Sequence, residues 1–377
     1  MKILITGGHL TPALAFIDFI NKNHPDDKII FLGRTHTQNK TKQVSREKQE
    51  TAKKGVLFIP FKSIKLSRNN ILEKLKAVPV LITSTFKSIA ILSKNKPNVF
   101  VSFGGYLAVP VTFAAWIMRV PIITHEQTRT VGIANKLISK FANIIAVSYK
   151  ESLKNFPANR TFVTGNLIRK NILSVNSTRP KWIEINQKNP ILYVTGGSQG
   201  SEIINHTISQ VMKYLTKDWI VIHQCGNSTK TRNYKKELTQ IKNSLPMSNK
   251  NNYYVREWLD EEDLSWIYSN AKIIVSRAGA NTTEEIAIRG IPSILIPLPF
   301  SHNDEQLKNA QALSNKSQAI LLEQKFLNPK TLLESIELIN KYNRKFSRNL
   351  KMFTKSKNSE IKLYDLVKKV VVKNAQT

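Results

Sequence analysis

Two glycine-rich turns, one in each half of the chain, place the strongest constraint on the fold. Each follows a β-branched apolar run and precedes a helical pattern: Ile3-Leu4-Ile5-Thr6-Gly7-Gly8-His9 in the first half, and Ile191-Leu192-Tyr193-Val194-Thr195-Gly196-Gly197-Ser198-Gln199-Gly200 in the second. A buried parallel strand that turns tightly into a helix directs backbone N–H groups and the positive helix end toward one point, which suits an anion such as phosphate. The repetition predicts two similar α/β domains that face each other across a cleft.

Short buried runs alternate with helical patterns through both halves, which predicts two doubly wound, Rossmann-like parallel sheets. The 377 residues favour two domains rather than one core. We expect an N-terminal domain over 1–165, a C-terminal domain over 166–345, and a terminal helix within 346–377 that can pack back on the first domain. The predicted strands after the first are 28–32, 56–59, 99–102, 122–125, 144–147, 161–163, 191–194, 220–224, 253–256, 273–275, 293–296 and 319–322.

The amino-acid composition and charge exclude several classes of function. The single cysteine, Cys225, excludes an intramolecular disulfide and a thiolate metal cluster within one chain. A net charge of +31 would attract a polyanion or an anionic membrane surface, although the even spread of lysine and asparagine also fits a coding bias. No arginine-rich arm or zinc spacing is present, so no specific nucleic acid is expected. No apolar run approaches the roughly 18 residues of a membrane span, and no signal peptide is visible, so we expect a cytoplasmic protein.

Polar clusters at the predicted strand ends of the first half are candidate chemistry. His9 follows the first glycine turn, where an imidazole can act as a base or donate to phosphate; the alternative is a capping residue at the helix start. A second turn, Phe103-Gly104-Gly105-Tyr106, permits close backbone approach to a ligand. The polar segment Thr124-His125-Glu126-Gln127 ends another strand and is a further candidate for the site. The alternative is that these side chains form a buried structural network.

The second half offers two further clusters. The segment Ser276-Arg277-Ala278-Gly279 passes from a strand into a helix on which Glu285 lies. A carboxylate there can bind a ribose diol, as in dinucleotide folds; the alternative is a helix-dipole interaction. The loop 297–306 supplies donors and acceptors suited to a sugar. Neither glycine turn completes a dehydrogenase fingerprint, and no Walker lysine motif is present.

Taken in order, these motifs resemble the MurG family of peptidoglycan N-acetylglucosaminyltransferases, from residue 1 to about residue 325. The resemblance implies a GT-B fold and inverting transfer of N-acetylglucosamine from UDP-GlcNAc to a lipid-linked acceptor, lipid I, giving lipid II. It implies that no metal or other cofactor is required, in agreement with the absence of an Asp-x-Asp motif. It also implies a peripheral protein on the cytoplasmic face of the bacterial plasma membrane.

The resemblance assigns roles to residues of this sequence. His9 would be the catalytic base, with Glu126 as the competing candidate. The acceptor would be bound by Thr6, Gly7, Gly8, Gly104, Gly105, Tyr106 and Gln127. The donor would be bound by Arg169, Gly197, Ser198, Gln199, Arg277, Gly279, Glu285 and Gln306.

Three departures from the family pattern all fall on the acceptor side. Leu4 and Ile5 stand where two glycines are usual, Thr128 replaces an asparagine, and Val109 replaces a glycine before Pro110. These changes keep two alternatives open: a GT-B transferase that uses a UDP-sugar and a different acceptor, or a catalytically silent protein that binds a nucleotide sugar or a polyanion.

A membrane-facing surface is a separate hypothesis. An apolar cluster with lysines beside it suits shallow docking on anionic lipid, while the alternative is an ordinary buried helix face. The cluster comprises Ile71, Leu72, Leu75, Val78, Val80, Leu81 and Phe86, with Lys74, Lys76 and Lys87.

Overall fold

The computed structural model describes residues 1–36, 44–63, 71–169, 172, 178–184, 189–197, 199–227, 232–342 and 358–376. The chain divides into two compact units. Unit 1 comprises Met1–Ile168 and Ser356–Thr377, and unit 2 comprises Arg169–Lys355. The boundary predicted at residue 345 lies outside the described residues.

Unit 1 is built on a seven-stranded parallel sheet with strand order β3-β2-β1-β4-β5-β6-β7. Helices cover both faces of a parallel sheet, so side chains on both sides of each strand are buried. This is why the strands are short, apolar, β-branched runs. The strands are β1 (Lys2–Thr6), β2 (Lys28–Gly33), β3 (Leu57–Pro60), β4 (Val99–Ser102), β5 (Ile122–Glu126), β6 (Ile144–Val147) and β7 (Thr161–Val163). The helices are α1 (Leu10–Asn23), α2 (Arg46–Lys53), α3 (Ile71–Asn95), α4 (Ala108–Ile117) and α5 (Ile133–Ile138).

Unit 2 repeats the pattern with a six-stranded parallel sheet of order β10-β9-β8-β11-β12-β13. Its strands are β8 (Ile191–Thr195), β9 (Ile220–Gln224), β10 (Tyr253–Arg256), β11 (Ala271–Ser276), β12 (Ser293–Leu295) and β13 (Ala319–Leu321). Its helices are α6 (Glu202–Asp218), α7 (Tyr234–Ser244), α8 (Met247–Lys250), α9 (Glu261–Asn270), α10 (Ala280–Arg289), α11 (Glu305–Ser314) and α12 (Pro329–Lys341). The predicted α/β class with two parallel, Rossmann-like sheets is confirmed.

The last helix, α13 (Ser359–Ala375), belongs to unit 1 and packs on α1. Its buried side chains Leu363 and Val367 join the core that contains Phe16. The Tyr364 ring stacks on His24 with centroids 3.9 Å apart, and its hydroxyl donates to Asp27 Oδ2 at 2.7 Å. The C-terminal end of the chain therefore completes the N-terminal core.

The first departure from the family pattern is explained by the sheet. Leu4 and Ile5 lie inside the central strand β1, and both side chains are fully buried. They lie upstream of the turn, in which Gly7 and Gly8 of the family pattern are both present. Among the described helices, none has both the length and the apolar character that crossing a bilayer requires.

Candidate active site

The two glycine turns of unit 1 touch each other at the carboxyl edge of the sheet. A Cβ atom on Gly8 would stand 2.1 Å from the Gly104 carbonyl oxygen, and one on Gly105 would stand 2.6 Å from the Gly8 Cα atom. Gly104 and Gly105 also have φ values of +74° and +78°. Only glycine fits these positions. Because β1 and β4 are neighbours at the point where strand order reverses, the paired turns occupy the place where open α/β sheets bind ligands.

His9 lies at the first residue before α1, and its backbone N–H donates to the Phe103 carbonyl at 3.3 Å. Its side chain makes no capping hydrogen bond, so the capping alternative does not describe its ring. His9 as a whole residue is exposed at the edge of the sheet, although protein atoms pack around its imidazole. The surrounding protein, by excluding water, lowers the pKa of His9, and the Glu126 carboxylate opposes that shift. A neutral imidazole at neutral pH can accept a proton.

Glu126 is a buried carboxylate of unit 1 that several donors hold in place. Its side chain is buried and accepts four hydrogen bonds. Oε1 accepts from the Thr128 N–H at 3.0 Å and from the Thr128 hydroxyl at 2.6 Å, while Oε2 accepts from Gly132 N at 3.0 Å and Asn135 Nδ2 at 2.9 Å. Thr128, the second departure from the family pattern, therefore supplies two of the four donors. All four donors are uncharged.

Several buried polar atoms at the same edge lack a partner within the described residues. These are both amide atoms of Gln127, the hydroxyls of Thr6 and Ser148, and Nδ1 of His125. The other ring nitrogen of His125 lies 3.2 Å from the Gly165 carbonyl, and burial lowers the pKa of His125 to about 4, so the ring is neutral. Buried polar groups without partners are uncommon in proteins and call for an explanation. A ligand at this edge would supply the missing hydrogen bonds.

In unit 2, the turn after β8 has the same close-packed character. A Cβ atom on Gly200 would stand 2.2 Å from the Cys225 carbonyl oxygen, and Gly200 has a φ of +77°. Gly197 has a φ of +80°, and its N–H donates to Thr195 Oγ1 at 3.0 Å. No atom of the described structure lies within 4 Å of the Cβ position of Gly197, so the turn is open on that side. Gln199 is exposed, and Ser198 lies outside the described residues.

Arg169 and Glu285, which are 116 positions apart, form a bidentate ion pair in unit 2. Arg169 Nη2 donates to Oε1 of Glu285 at 2.8 Å and to Oε2 at 3.0 Å, and Arg169 Nε donates to Oε1 at 3.1 Å. Burial works against the charged guanidinium, yet the Glu285 carboxylate holds the pKa of Arg169 above its ordinary value. The pair brings together two residues predicted to bind the donor.

Tyr268 is a residue of this cluster that the sequence did not reveal. Its hydroxyl donates to Glu285 Oε2 at 3.3 Å from helix α9. Burial, and next the Glu285 carboxylate, raise the pKa of Tyr268, so the phenol stays protonated and remains a donor. In the sequence Tyr268 is one of several apolar or aromatic residues on an ordinary amphipathic helix, and no local signal distinguishes it.

Arg277 holds the loop that precedes Gln306. Its Nη1 donates to the carbonyl oxygens of Ile296 and Pro297, both at 3.2 Å, and its Nη2 donates to Gln324 Oε1 at 2.7 Å. Burial lowers the pKa of Arg277 to about 10. These contacts make Arg277 a support for the loop, and its predicted contact with the donor stays a prediction.

Gly279 and Gln306 lie on the two loops beside Arg277. Gly279 precedes α10, and no described atom lies within 4 Å of its Cβ position. The Gln306 side-chain oxygen accepts from the Leu298 N–H at 3.0 Å. Among the described residues, no three His, Cys, Asp or Glu side chains form a group that could hold a metal ion.

Models of known protein families match residues in both units. The glycosyltransferase family 28 N-terminal domain matches residues 6–147, and the glycosyltransferase family 28 C-terminal domain matches residues 191–369. The chain belongs to glycosyltransferase family 28.

Relatives place the chain more narrowly within family 28. It is 33% identical over 336 residues to the UDP-N-acetylglucosamine--N-acetylmuramyl-(pentapeptide) pyrophosphoryl-undecaprenol N-acetylglucosamine transferase of Caldanaerobacter subterraneus, covering 89% of this chain and 88% of the relative. The transferase of the same name from Bacillus subtilis is 31% identical over 343 residues, with the same two shares covered. The resemblance to the MurG family is confirmed.

Solved structures agree at the level of the fold. The Acinetobacter baumannii MurG structure matches with a TM-score of 0.67 and 22% identity, covering 98% of this chain and all of that one. A Neisseria meningitidis UDP-GlcNAc 2-epimerase bound to UDP-GlcNAc matches with a TM-score of 0.63 and 14% identity, covering 98% of this chain and all of that one. At identities of 22% and 14%, the similarity to these two structures indicates the GT-B fold and nothing beyond it.

Proposed function

We propose that this family 28 chain transfers N-acetylglucosamine from UDP-GlcNAc to the lipid-linked acceptor lipid I, undecaprenyl-pyrophosphoryl-MurNAc-pentapeptide, and so forms lipid II of peptidoglycan synthesis. The observation that carries the proposal is the similarity over 89% of the chain to transferases whose names state this donor and acceptor. The two glycine-turn edges support it, because donor and acceptor each contain a diphosphate.

The donor is assigned to unit 2. The open side of Gly197 and the start of α10 after Gly279 would receive the diphosphate. Glu285 would accept hydrogen bonds from the ribose hydroxyls. Arg169, which is paired with Glu285 in this structure, would then turn one edge of its guanidinium to phosphate, a geometry that suits arginine. Gln306 would contact the sugar hydroxyls.

The acceptor is assigned to unit 1, with its pyrophosphate at the touching glycine turns and the amide of Gln127 as a further contact. Its hydroxyl oxygen would attack the anomeric carbon as the bond from that carbon to the UDP oxygen breaks, with inversion. His9 would take the hydroxyl proton, and UDP would leave with the bonding electron pair. His9 suits this role because it lies at the exposed edge of the sheet and the surrounding protein favours the neutral form of its imidazole.

Glu126 suits a positioning role better than that of base. Both of its carboxylate oxygens already accept hydrogen bonds from Thr128, Gly132 and Asn135, so they are engaged by the protein rather than directed at a substrate hydroxyl. Its charge acts instead on His9, whose basicity it increases.

We infer that no metal or other cofactor is required. Backbone N–H groups of the glycine turns, helix starts and Arg169 would balance the diphosphate charge that develops as UDP leaves. Preorganised donors of this kind stabilise a transition state without reorganising at the moment of reaction.

The direct test is transfer of labelled N-acetylglucosamine by the purified full chain, with UDP-GlcNAc and a soluble lipid I analogue. Formation of the labelled lipid II analogue is expected, also in the presence of a metal chelator. Transfer only to a different acceptor would favour another UDP-sugar transferase. Binding of UDP-GlcNAc without transfer to any acceptor would favour a silent binding protein. Loss of transfer with the chelator would contradict the metal-free mechanism.

A peripheral position on the cytoplasmic face of the plasma membrane is proposed from an exposed apolar surface of unit 1. Helices α3 and α4 pack together. Phe86 is 67% exposed, Trp116 is 58% exposed, and Val78, Ile82 and Ile117 are more than half exposed. Lys87 and Arg119, which are close to them in sequence, are also exposed. Side chains 71–77, part of the predicted cluster, lie outside the described residues. An apolar surface with basic neighbours suits an anionic lipid surface.

Sedimentation with vesicles of anionic and of zwitterionic lipid tests this docking. The chain should prefer anionic vesicles. Replacing Phe86 and Trp116 together with Asp should lower the partition coefficient by about tenfold or more, since each ring loses its burial in lipid. Phe300→Asp, at an aromatic residue of unit 2 that is 94% exposed, is the matched control. Equal binding by the double variant and the control would contradict the proposed surface.

A further inference from the structure

Arg34 lies at the carboxyl end of β2 and is fixed there by Glu47. The Arg34 N–H donates to Glu47 Oε2 at 2.6 Å, and its guanidinium donates to Oε1 from Nη2 at 2.8 Å and from Nε at 3.3 Å. Glu47 is itself only 5% exposed, on the first turn of α2. A Cβ on Gly33 would stand 2.9 Å from Glu47 Oε2, so glycine at that position leaves room for the carboxylate. The guanidinium is therefore held in one orientation before any ligand binds.

The edge of the guanidinium that Glu47 leaves uncovered faces the acceptor side of unit 1. Arg34 Nη1 donates to the Tyr106 hydroxyl at 3.4 Å, and the centre of the guanidinium lies 6.0 Å from the Tyr106 ring. Tyr106 follows Gly105, whose turn contacts Gly8. The register of the sheet pairs Thr6 of β1 with Leu32 of β2, so Arg34 and the Gly7-Gly8 turn follow paired positions of adjacent strands.

Arg34 brings a positive charge to this edge of the sheet, which the glycine turns lack. The turns offer backbone N–H groups, and His9 is held toward its neutral form, so neither contributes a full positive charge. The side chain of Arg34 is 32% exposed, and its Nη1 bond to Tyr106 is long enough to be exchanged for a stronger one. Arginine N–H groups bind phosphate oxygens through short, charge-assisted hydrogen bonds.

We propose that Arg34 and the Tyr106 hydroxyl form an anion subsite at the end of β2 that binds a phosphate oxygen of the acceptor. Glu47 positions Arg34 and takes no part in binding. The subsite rests on the function proposed above. It adds to that function a contact that recognises the acceptor and not the donor. The prediction concerns acceptor binding and leaves the donor unaffected.

Steady-state kinetics of the full chain with a soluble lipid I analogue tests the subsite. Arg34→Gln should raise the acceptor KM by about tenfold or more, the loss of one charge-assisted hydrogen bond, with kcat and donor KM within about twofold. Arg34→Lys should give an intermediate rise, because lysine keeps the charge without the planar fork. Lys54→Gln is the matched control: Lys54 also pairs with a carboxylate, Asp18, but precedes β3 at the opposite edge of the sheet.

The outcomes separate the subsite from the proposed function. No transfer by the unchanged chain would refute the function itself. Transfer with equal acceptor KM in the Arg34→Gln variant and the control would overturn the subsite alone. A thermal melt checks folding, and the Arg34→Lys variant decides if Arg34→Gln is unfolded at the assay temperature. A KM effect that disappears with an acceptor analogue lacking the peptide carboxylates would also overturn the proposal, because the anion bound would then be a carboxylate.

Discussion

The carboxyl edges of the two sheets hold their central carboxylates in different ways. In unit 1, Glu126 is surrounded by uncharged donors from Thr128, Gly132 and Asn135. In unit 2, Glu285 is paired with the guanidinium of Arg169. The first arrangement leaves a net negative charge that acts on His9. The second is neutral overall, and in the proposed donor complex its two side chains would exchange partners with the hydroxyl and phosphate groups of the ligand. Two similar sheets thus hold a carboxylate with neutral donors in one unit and in an ion pair in the other.

The largest expected effect comes from removing the proposed base of unit 1. His9→Ala should lower kcat by about 10²–10⁴-fold, because general base catalysis typically contributes that much. UDP binding, which is assigned to unit 2, should be unchanged by calorimetry. His24→Ala is a matched control, since that ring stacks on Tyr364 at the start of the C-terminal helix. Turnover equal to that of the control would eliminate His9 as the base.

Substitutions of the two carboxylates, Glu285 and Glu126, should have different effects. Glu285→Gln should weaken UDP binding by about tenfold or more, since a charged hydrogen-bond acceptor for the ribose is lost. Glu126→Gln should leave the UDP affinity unchanged and lower the free energy of unfolding by about 1–3 kcal/mol, because an amide N–H₂ would face the donors that now serve the carboxylate. Calorimetry and chemical denaturation measure both. Equal UDP affinities in the two variants would contradict the division of roles.

The smallest expected effect is a shift in pH dependence. The base must be neutral, and its pKa is lowered, so activity should fall with acid only below the ordinary histidine pKa of about 6.5. Glu126→Gln removes the negative charge that raises this pKa, and the acid limb of kcat/KM should then move to still lower pH. A limb that moved upward would show that Glu126 does not act on the base in this way.

Sequence patterns predicted the fold well because each strand of a parallel sheet is a short, continuous apolar run. The central strands β1 and β8 and the turns after them were visible as local patterns. The site was predicted less evenly. The sequence did not indicate that Arg277 binds the loop carbonyls of Ile296 and Pro297. Tyr268 and Arg34 gave no local signal, because their roles depend on partners far away in the chain.

The sequence by itself determined the two parallel α/β units, the glycine turns that end their strands, and the family, because these are properties of contiguous residues. Only the tertiary structure decided which turns touch, as Gly8 and Gly105 do. It also decided which charges are paired, as Arg169 and Glu285 are across 116 positions, and which, like Glu126, are held by neutral donors. Hydrogen bonding and burial depend on distance in space, and spacing along the chain does not specify that distance.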